Sequence, residues 1–261
     1  AATNTMVHRG PDDEGTYVSP DRRVGLGIRR LCIVDVDGGR QPMSNMGCPR
    51  RDRTDSSNDN DGAIWTVFNG EIYNHEWLRT ELEARGHVYT TRCDTESIVH
   101  GYEEWGEDLV IHLRGMFALA IYDSRTRNGG PKLFLARDRL GIKPLYYSER
   151  NGRLVFGSEI KAVLAWPGIP REVDYQALSH YLSLSVTPAP LTMYKDVRKL
   201  PPACTLIRFD DGRTELRRYW DPAVESGDAR DATETEIVER LRVFLHDSVR
   251  LHMMSDVPFG V

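Results

Sequence analysis

Apolar residues in this chain come in short β-branched and aromatic runs, each closed by glycine, asparagine, serine or a charge. The runs are VGLGIRRLCIVDV (24–36), GAIWTVFNG (62–70), HVYTTRC (87–93), MFALAIYD (116–123), KLFLARD (132–138), PLYYSE (144–149), RLVFGS (153–158), TLIRF (205–209) and TELRRYW (214–220). Such content predicts strands. Asn128-Gly129-Gly130 and Asn151-Gly152 supply turns between neighbouring strands. Helices interrupt the series. Asn74 is a plausible N-cap for a helix through Glu83, with Gly86 just past its end. In 95–105, Ile98, Val99, Tyr102 and Trp105 share one helical face. Further helices are predicted at 159–165 and 174–183. The class is α+β, dominated by antiparallel strands over the first 220 residues.

Two segments fall outside that pattern. GCPRRDRTDSSNDNDG (47–62) has no aliphatic or aromatic residue and reads as a mobile surface loop. Its end superficially suggests a calcium loop, but the first ligand position is Ser57 and the twelfth, where a bidentate Glu is needed, is Phe68. Calcium is rejected. From Asp221 to Asp231 the composition turns acidic and small, as in a linker. Thr233 and Glu236 then form a capping-box pattern, and Ile237, Leu241, Phe244 and Leu245 make one helical stripe. The sequence ends on SDVPFGV, an apolar strand start. The expected organisation is a domain over 1–220, a linker over 221–232 and the beginning of a second domain over 233–261.

Net charge is −5 with a pI near 5.9, which argues against a nucleic-acid surface. No apolar run approaches a membrane span, and AATNTMVHRG lacks the apolar core of a signal peptide. Cys32, Cys48, Cys93 and Cys204 stand alone, without C-x-x-C or histidines at metal spacing. They read as reduced thiols in a cytoplasmic protein. No metal is expected.

Arg30, Asn69, Gly70, Glu71 and Asp94 are the candidates for a polar pocket, the polar ones at ends of strand-like runs. One guanidinium and two carboxylates match the ends of a free α-amino acid. The Asn69 amide and the Gly70 backbone N–H are two adjacent donors, the composition of an oxyanion hole. From spacing alone Arg30 can equally be a surface arginine, and Asp94 an N-cap for the helix at 95.

HRGPDDEG (8–15), RRLCIVD (29–35), FNGEIYNH (68–75), CDTES (93–97), GMFALAIYD (115–123), ARDRLGIKPLYY (136–147) and GSEIKA (157–162) occur in order. Together they resemble the glutaminase domain of glutamine-hydrolysing asparagine synthases, class II glutamine amidotransferases of the N-terminal-nucleophile type. The tail MMSDVPFGV (253–261) is similar to the segment leading into their ATP-binding synthetase domain. The resemblance implies a four-layer αββα sandwich followed by the start of an α/β synthetase domain.

It assigns Arg30 to the glutamine α-carboxylate and places the stretch Leu31, Cys32, Ile33 and Val34 alongside the substrate. Asn69 and Gly70 correspond to the oxyanion pair, and Glu71 and Asp94 to the α-ammonium end. Arg9 is expected to organise the HRGPD loop, and Asp138 and Arg139 to serve in scaffold ion pairing. The implied substrates are glutamine, aspartate and ATP, with ATP and Mg²⁺ held in the synthetase domain and no cofactor in this part. No nucleic-acid or membrane partner is expected, and a homodimer is left open.

In that family the nucleophile is an N-terminal cysteine whose own α-amine serves as base. Here residues 1 and 2 are alanine and the first cysteine is Cys32. The expectation is an internal piece of an asparagine synthase, inactive as a glutaminase by itself. Two alternatives are a non-catalytic glutaminase-like scaffold of the β-lactam synthetase type and another amidotransferase sharing the module.

Overall fold

The computed structural model describes residues 2–31, 38–46, 63–125, 130–222 and 232–253. Eleven strands are described: β1 Asp13–Val18, β2 Gly25–Arg30, β3 Met43–Ser44, β4 Ile64–Ile72, β5 Gly115–Asp123, β6 Lys132–Arg137, β7 Tyr146–Arg150, β8 Arg153–Gly157, β9 Arg198–Lys199, β10 Cys204–Phe209 and β11 Thr214–Arg218. The α-helices are α1 His75–Ala84, α2 Asp94–Trp105, α3 Leu109–His112, α4 Ile160–Leu164, α5 Tyr175–Leu184 and α6 Glu234–His252. A 3₁₀ segment covers Thr3–Arg9.

The antiparallel order β11-β10-β6-β5-β4-β3 makes the large sheet, while β1-β2 and β8-β7-β9 form two small ones. Side chains alternate across a strand, so each face of the large sheet builds its own core. Phe117, Leu119 and Ile121 of β5 pack with Phe68 and Ile72 of β4 against Leu78, Leu82, Ile98, Val99 and Tyr102 of α1 and α2. The intervening Ala118, Ala120 and Tyr122 join Val67, Leu133 and Leu135 against Tyr17 and Leu26 of the β1-β2 sheet. Leu154 and Phe156 of β8 close the same core. A third, small cluster sets Val163 of α4 beneath Tyr146 and Val155. Helices, large sheet, small sheets, helix: the αββα sandwich follows from which residues each core contains.

Most expected elements form, with shifts that have local causes. HVYTTRC is not a strand. The Thr90 and Thr91 backbone N–H groups and hydroxyls all donate to the Glu96 carboxylate at 2.6–2.9 Å, which takes that backbone away from any ladder. β4 runs on through Asn69-Gly70-Glu71 to Ile72, because those residues pair with Ala118, Phe117 and Met116 of β5. β1 was not foreseen: DEGTYV is half polar, and its anchor is Tyr17, whose ring stacks on Trp65 at 4.2 Å.

Asn74 precedes α1 without capping it. Its amide instead donates to the His112 carbonyl and accepts from Arg114 N–H, tying the helix to the start of β5. Asp94 is the first residue of α2, with Cys93 as N-cap. The capping box of Thr233 and Glu236 is present.

Asp138 and Arg139 do scaffold the site region, through backbone hydrogen bonds rather than ion pairs. The buried Asp138 carboxylate accepts from the N–H groups of Phe117, Leu140, Ile142 and Lys143. Arg139 donates to the carbonyls of Leu113 and Ile111. The expected continuation of the strand over 32–36, the 47–62 loop, the Asn128-Gly129 turn and the SDVPFGV tail lie outside the described residues.

Candidate functional site

A cavity of about 320 Å³ opens between the ends of β2, β4 and β8 and the first turn of α2. Arg30, Leu31, Asn69, Gly70, Glu71 and Asp94 all line it, so residues spread between positions 30 and 94 converge on one space. Leu31 sits exposed at the rim. Cys32, Ile33 and Val34 lie outside the described residues.

Arg30 ends β2 and is only 8% exposed, which removes the reading of a solvated surface arginine. Gly39 makes room for it: a Cβ there would stand 2.3 Å from the Arg30 Nη2 and 2.8 Å from Cys93 Sγ. The carboxylates come from β4 and α2. Asp94 is buried, and its Oδ2 accepts the Ile72 backbone N–H at 3.0 Å. Desolvation pushes its carboxyl above the ordinary range, against the pull of that bond.

Glu71 feels desolvation first and the Asp94 charge second, with Lys143 and Arg30 opposing, and ends at about 8. Two carboxyls sharing a desolvated corner disfavour double ionisation. Near neutral pH the pocket therefore keeps Glu71 largely protonated.

The edge of β4 carries the third feature. β3 covers only Thr66 and Trp65, so beyond them the edge is free of a neighbouring strand among the described residues. Along it, Phe68 N–H donates to Gln41 Oε1 at 2.7 Å and Ile72 N–H to Asp94 Oδ2. Backbone N–H groups alternate sides along a strand, so the Gly70 N–H faces the same edge, midway between these two. Gly70 has φ +153°, and a Cβ would lie 2.0 Å from the Met116 carbonyl oxygen, so glycine alone fits there. The Asn69 Nδ2 donates a long 3.4 Å bond to Ser158 Oγ, just past β8. Asn69 and Gly70 thus present two donors toward one space, an arrangement suited to an oxygen that gains negative charge.

Sequence reasoning left several lining residues without a role. Gln41, which bonds Thr95 Oγ1 at 3.2 Å as well as Phe68, carries no local signal and is delivered by tertiary folding. Ser158 and Lys143 stood inside quoted motifs, GSEIKA and ARDRLGIKPLYY, without a function. Cys93 lines the cavity, but its surroundings disfavour the thiolate. Its thiol donates toward Asp94 Oδ1 and Thr95 Oγ1, and burial pushes it up to about 12. Arg9 and His8 meet Glu159 at the entry to α4, which fastens the 3₁₀ segment beside the cavity.

A family profile described as "Glutamine amidotransferase domain" matches residues 1–220. Asparagine synthetase [glutamine-hydrolyzing] 3 of Bacillus subtilis (strain 168) is 41% identical over 98% of this chain and 38% of its own length. Asparagine synthetase [glutamine-hydrolyzing] 1 of the same organism is 37% identical over 98% of this chain and 37% of its own length. A putative asparagine synthetase [glutamine-hydrolyzing] of Mycobacterium tuberculosis (strain ATCC 25618 / H37Rv) is 37% identical over 99% of this chain and 39% of its own length. The chain therefore spans less than two fifths of the length of each of these three relatives.

Proposed function

Because the chain belongs to the glutamine amidotransferase domain family, we propose that the cavity receives free glutamine and positions its side-chain amide for hydrolysis. The observation that carries this reading is the convergence of a buried arginine, the carboxylate pair of buried Asp94 and half-buried Glu71, and the open edge at Asn69-Gly70 on one cavity. The Arg30 guanidinium takes the α-carboxylate through parallel N–H bonds. Glu71 and Asp94 take the α-ammonium. The amide carbonyl then reaches Asn69 Nδ2 and Gly70 N–H, which hold the tetrahedral oxyanion after a cysteine thiolate attacks. A scaffold without catalysis has no need of such a charge arrangement, which favours the enzymatic reading.

In the whole protein, ammonia released here would pass to a synthetase domain. There aspartate and ATP with Mg²⁺ would give β-aspartyl-AMP and pyrophosphate, and ammonia would displace AMP to form asparagine. Residues 1–220 are then the glutaminase domain, 221–232 the linker and 233–261 the start of the next domain. The exposed stripe of α6, with Leu241 55% and Phe244 70% exposed, supports that division. The same reading makes the protein cytoplasmic, with a homodimer as one assembly to test; among the described residues no helix is long and apolar enough to cross a membrane.

Two experiments on the intact protein test the pocket. Arg30→Ala should raise KM for glutamine about ten- to a hundredfold, the loss of a charge-assisted pair, while ammonia-dependent synthesis stays unchanged. Unchanged glutamine kinetics would remove Arg30 from the site.

Glu71 predicts a pH dependence. Its carboxyl titrates at about 8 rather than 4.5, so the ammonium-binding charge develops as pH rises toward 8. KM for glutamine should fall over that range, and Glu71→Gln should flatten the profile. The stability linkage has the opposite sign. Between pH 4.5 and about 8 the unfolded state ionises this group and the folded state does not, so the charged residue costs stability increasingly across that window. Glu71→Gln should therefore melt higher than the parent, by roughly a few degrees at pH 8 and not at all at pH 4. A Tm difference constant with pH would contradict the raised Glu71 carboxyl.

A further inference from the structure

On the far side of α2 from the cavity, two histidines meet one carboxylate oxygen. His87 Nδ1 lies 3.5 Å and His100 Nδ1 3.4 Å from the same Glu103 Oε2. One donor atom from each of the three residues falls within 4.8 Å of the others. Zinc bonds of about 2.0–2.2 Å in a tetrahedron place neighbouring ligand atoms about 3.3–3.5 Å apart. The two observed N···O separations already have that length, and only the histidine pair must close further. We propose that His87, His100 and Glu103 form a binding site for a divalent transition metal, Zn²⁺ by its donor set, with solvent at the fourth position.

The surroundings supply the second argument. A metal-ligating imidazole usually turns its other nitrogen to a carboxylate, which fixes tautomer and ring orientation. Both rings do so here. His87 Nε2 faces Glu104 Oε2 at 3.4 Å, and His100 Nε2 faces Glu96 Oε1 at 3.7 Å. Glu96 is itself fixed by Thr90 and Thr91. The remaining Glu103 oxygen, Oε1, accepts from Asn45 Nδ2 at 3.0 Å. Each ligand thus has a partner that orients it.

The competing reading is a protonated His100 held between Glu96 and Glu103, and a bound dication would replace that proton. Two imidazolium rings with centroids 5.1 Å apart would repel each other, whereas a dication satisfies both neutral rings and the carboxylate at once. The side chains of His87 and His100 are 12% and 7% exposed and Glu103 is 34%, so the approach is over Glu103. Sequence spacing could not show this site, because His87 belongs to a segment that reads as a strand and folds instead as a loop. Bound metal would fasten that loop to α2, the helix whose first turn carries Asp94.

The test uses the full chain stripped with a chelator and titrated calorimetrically with zinc chloride alone, and then with Co²⁺ to read the visible bands of tetrahedral coordination. The parent should take up one equivalent at this cluster. Glu103→Gln and His87→Gln should bind at least about a hundredfold more weakly, and Glu104→Gln, which loses only an orienting contact, about ten- to a hundredfold. Glu103→Gln keeps the Asn45 contact and is the variant that decides if the histidine change disturbs folding, which circular dichroism monitors. Zinc binding of equal strength in the parent and Glu103→Gln, or no uptake by the parent, would overturn the proposal.

Discussion

Gly70→Ala should leave little folded protein. The added Cβ would stand 2.0 Å from the Met116 carbonyl oxygen and 2.8 Å from the Phe117 Cα, both backbone atoms of β5. No rotamer change relieves a clash with backbone. β5 cannot retreat either, since Phe117 through Asp123 are buried, with side chains in the cores on both faces of the sheet. The φ of +153° adds strain that an L side chain rarely accepts. A loop glycine with positive φ costs on the order of 1 kcal/mol when replaced, which is the effect the sequence alone suggests. The structure raises the expectation to beyond about 4 kcal/mol, a large share of a domain's usual 5–15 kcal/mol.

Gly86→Ala is the control: its φ is +98°, and nothing lies within 4 Å of where a new Cβ would stand. Thermal melts and soluble yield of the two variants should differ sharply. Similar melting of both would contradict the pairing of Gly70 with Phe117.

Asn69→Ala should be a catalytic rather than a folding variant. The side chain projects into the cavity, and its partner there is Ser158 Oγ across a long bond. The carboxylate and ammonium contacts to glutamine remain, so KM should hardly move. A donor that strengthens only as charge develops in the transition state acts on kcat, which should fall about 10²–10³-fold for glutamine. Ammonia-dependent synthesis bypasses this step and should persist. Ser158→Ala, which only orients the amide, should give a smaller decrease in kcat of the same kind. A normal glutamine kcat in a stably folded Asn69→Ala protein would end the oxyanion assignment.

What could be seen beforehand divides along physical lines. β5, β6 and β10 were legible because a strand buried on both faces is a continuous apolar run, as in MFALAIYD and KLFLARD. The α6 start was legible because Thr233 and Glu236 satisfy each other locally. β1 was hidden by its exposure, and the strand expected at 87–93 was undone by a carboxylate six residues on. The candidate site was legible where its lining residues sit in short motifs, as with Asn69, Gly70, Glu71 and Asp94. Gln41 and the metal-binding trio were not, because tertiary packing and not spacing brings them together. The Asp138 carboxylate was assigned a charged partner, but a buried loop of backbone N–H groups is equally able to use it.

The uncovered edge of β4 has one more consequence. In an ordinary sheet the next strand supplies a carbonyl to every second N–H. Here the amide oxygen of Gln41 and the carboxylate of Asp94 act as two rungs of a ladder along an edge that no strand covers among the described residues, and Gly70 lies at the rung between them. A ligand oxygen arriving at Gly70 would complete the ladder, making the bound molecule a transient piece of the sheet. Hydrogen exchange would show it. The amides of Phe68 and Ile72 should be protected throughout, while that of Gly70 should slow only when ligand is present.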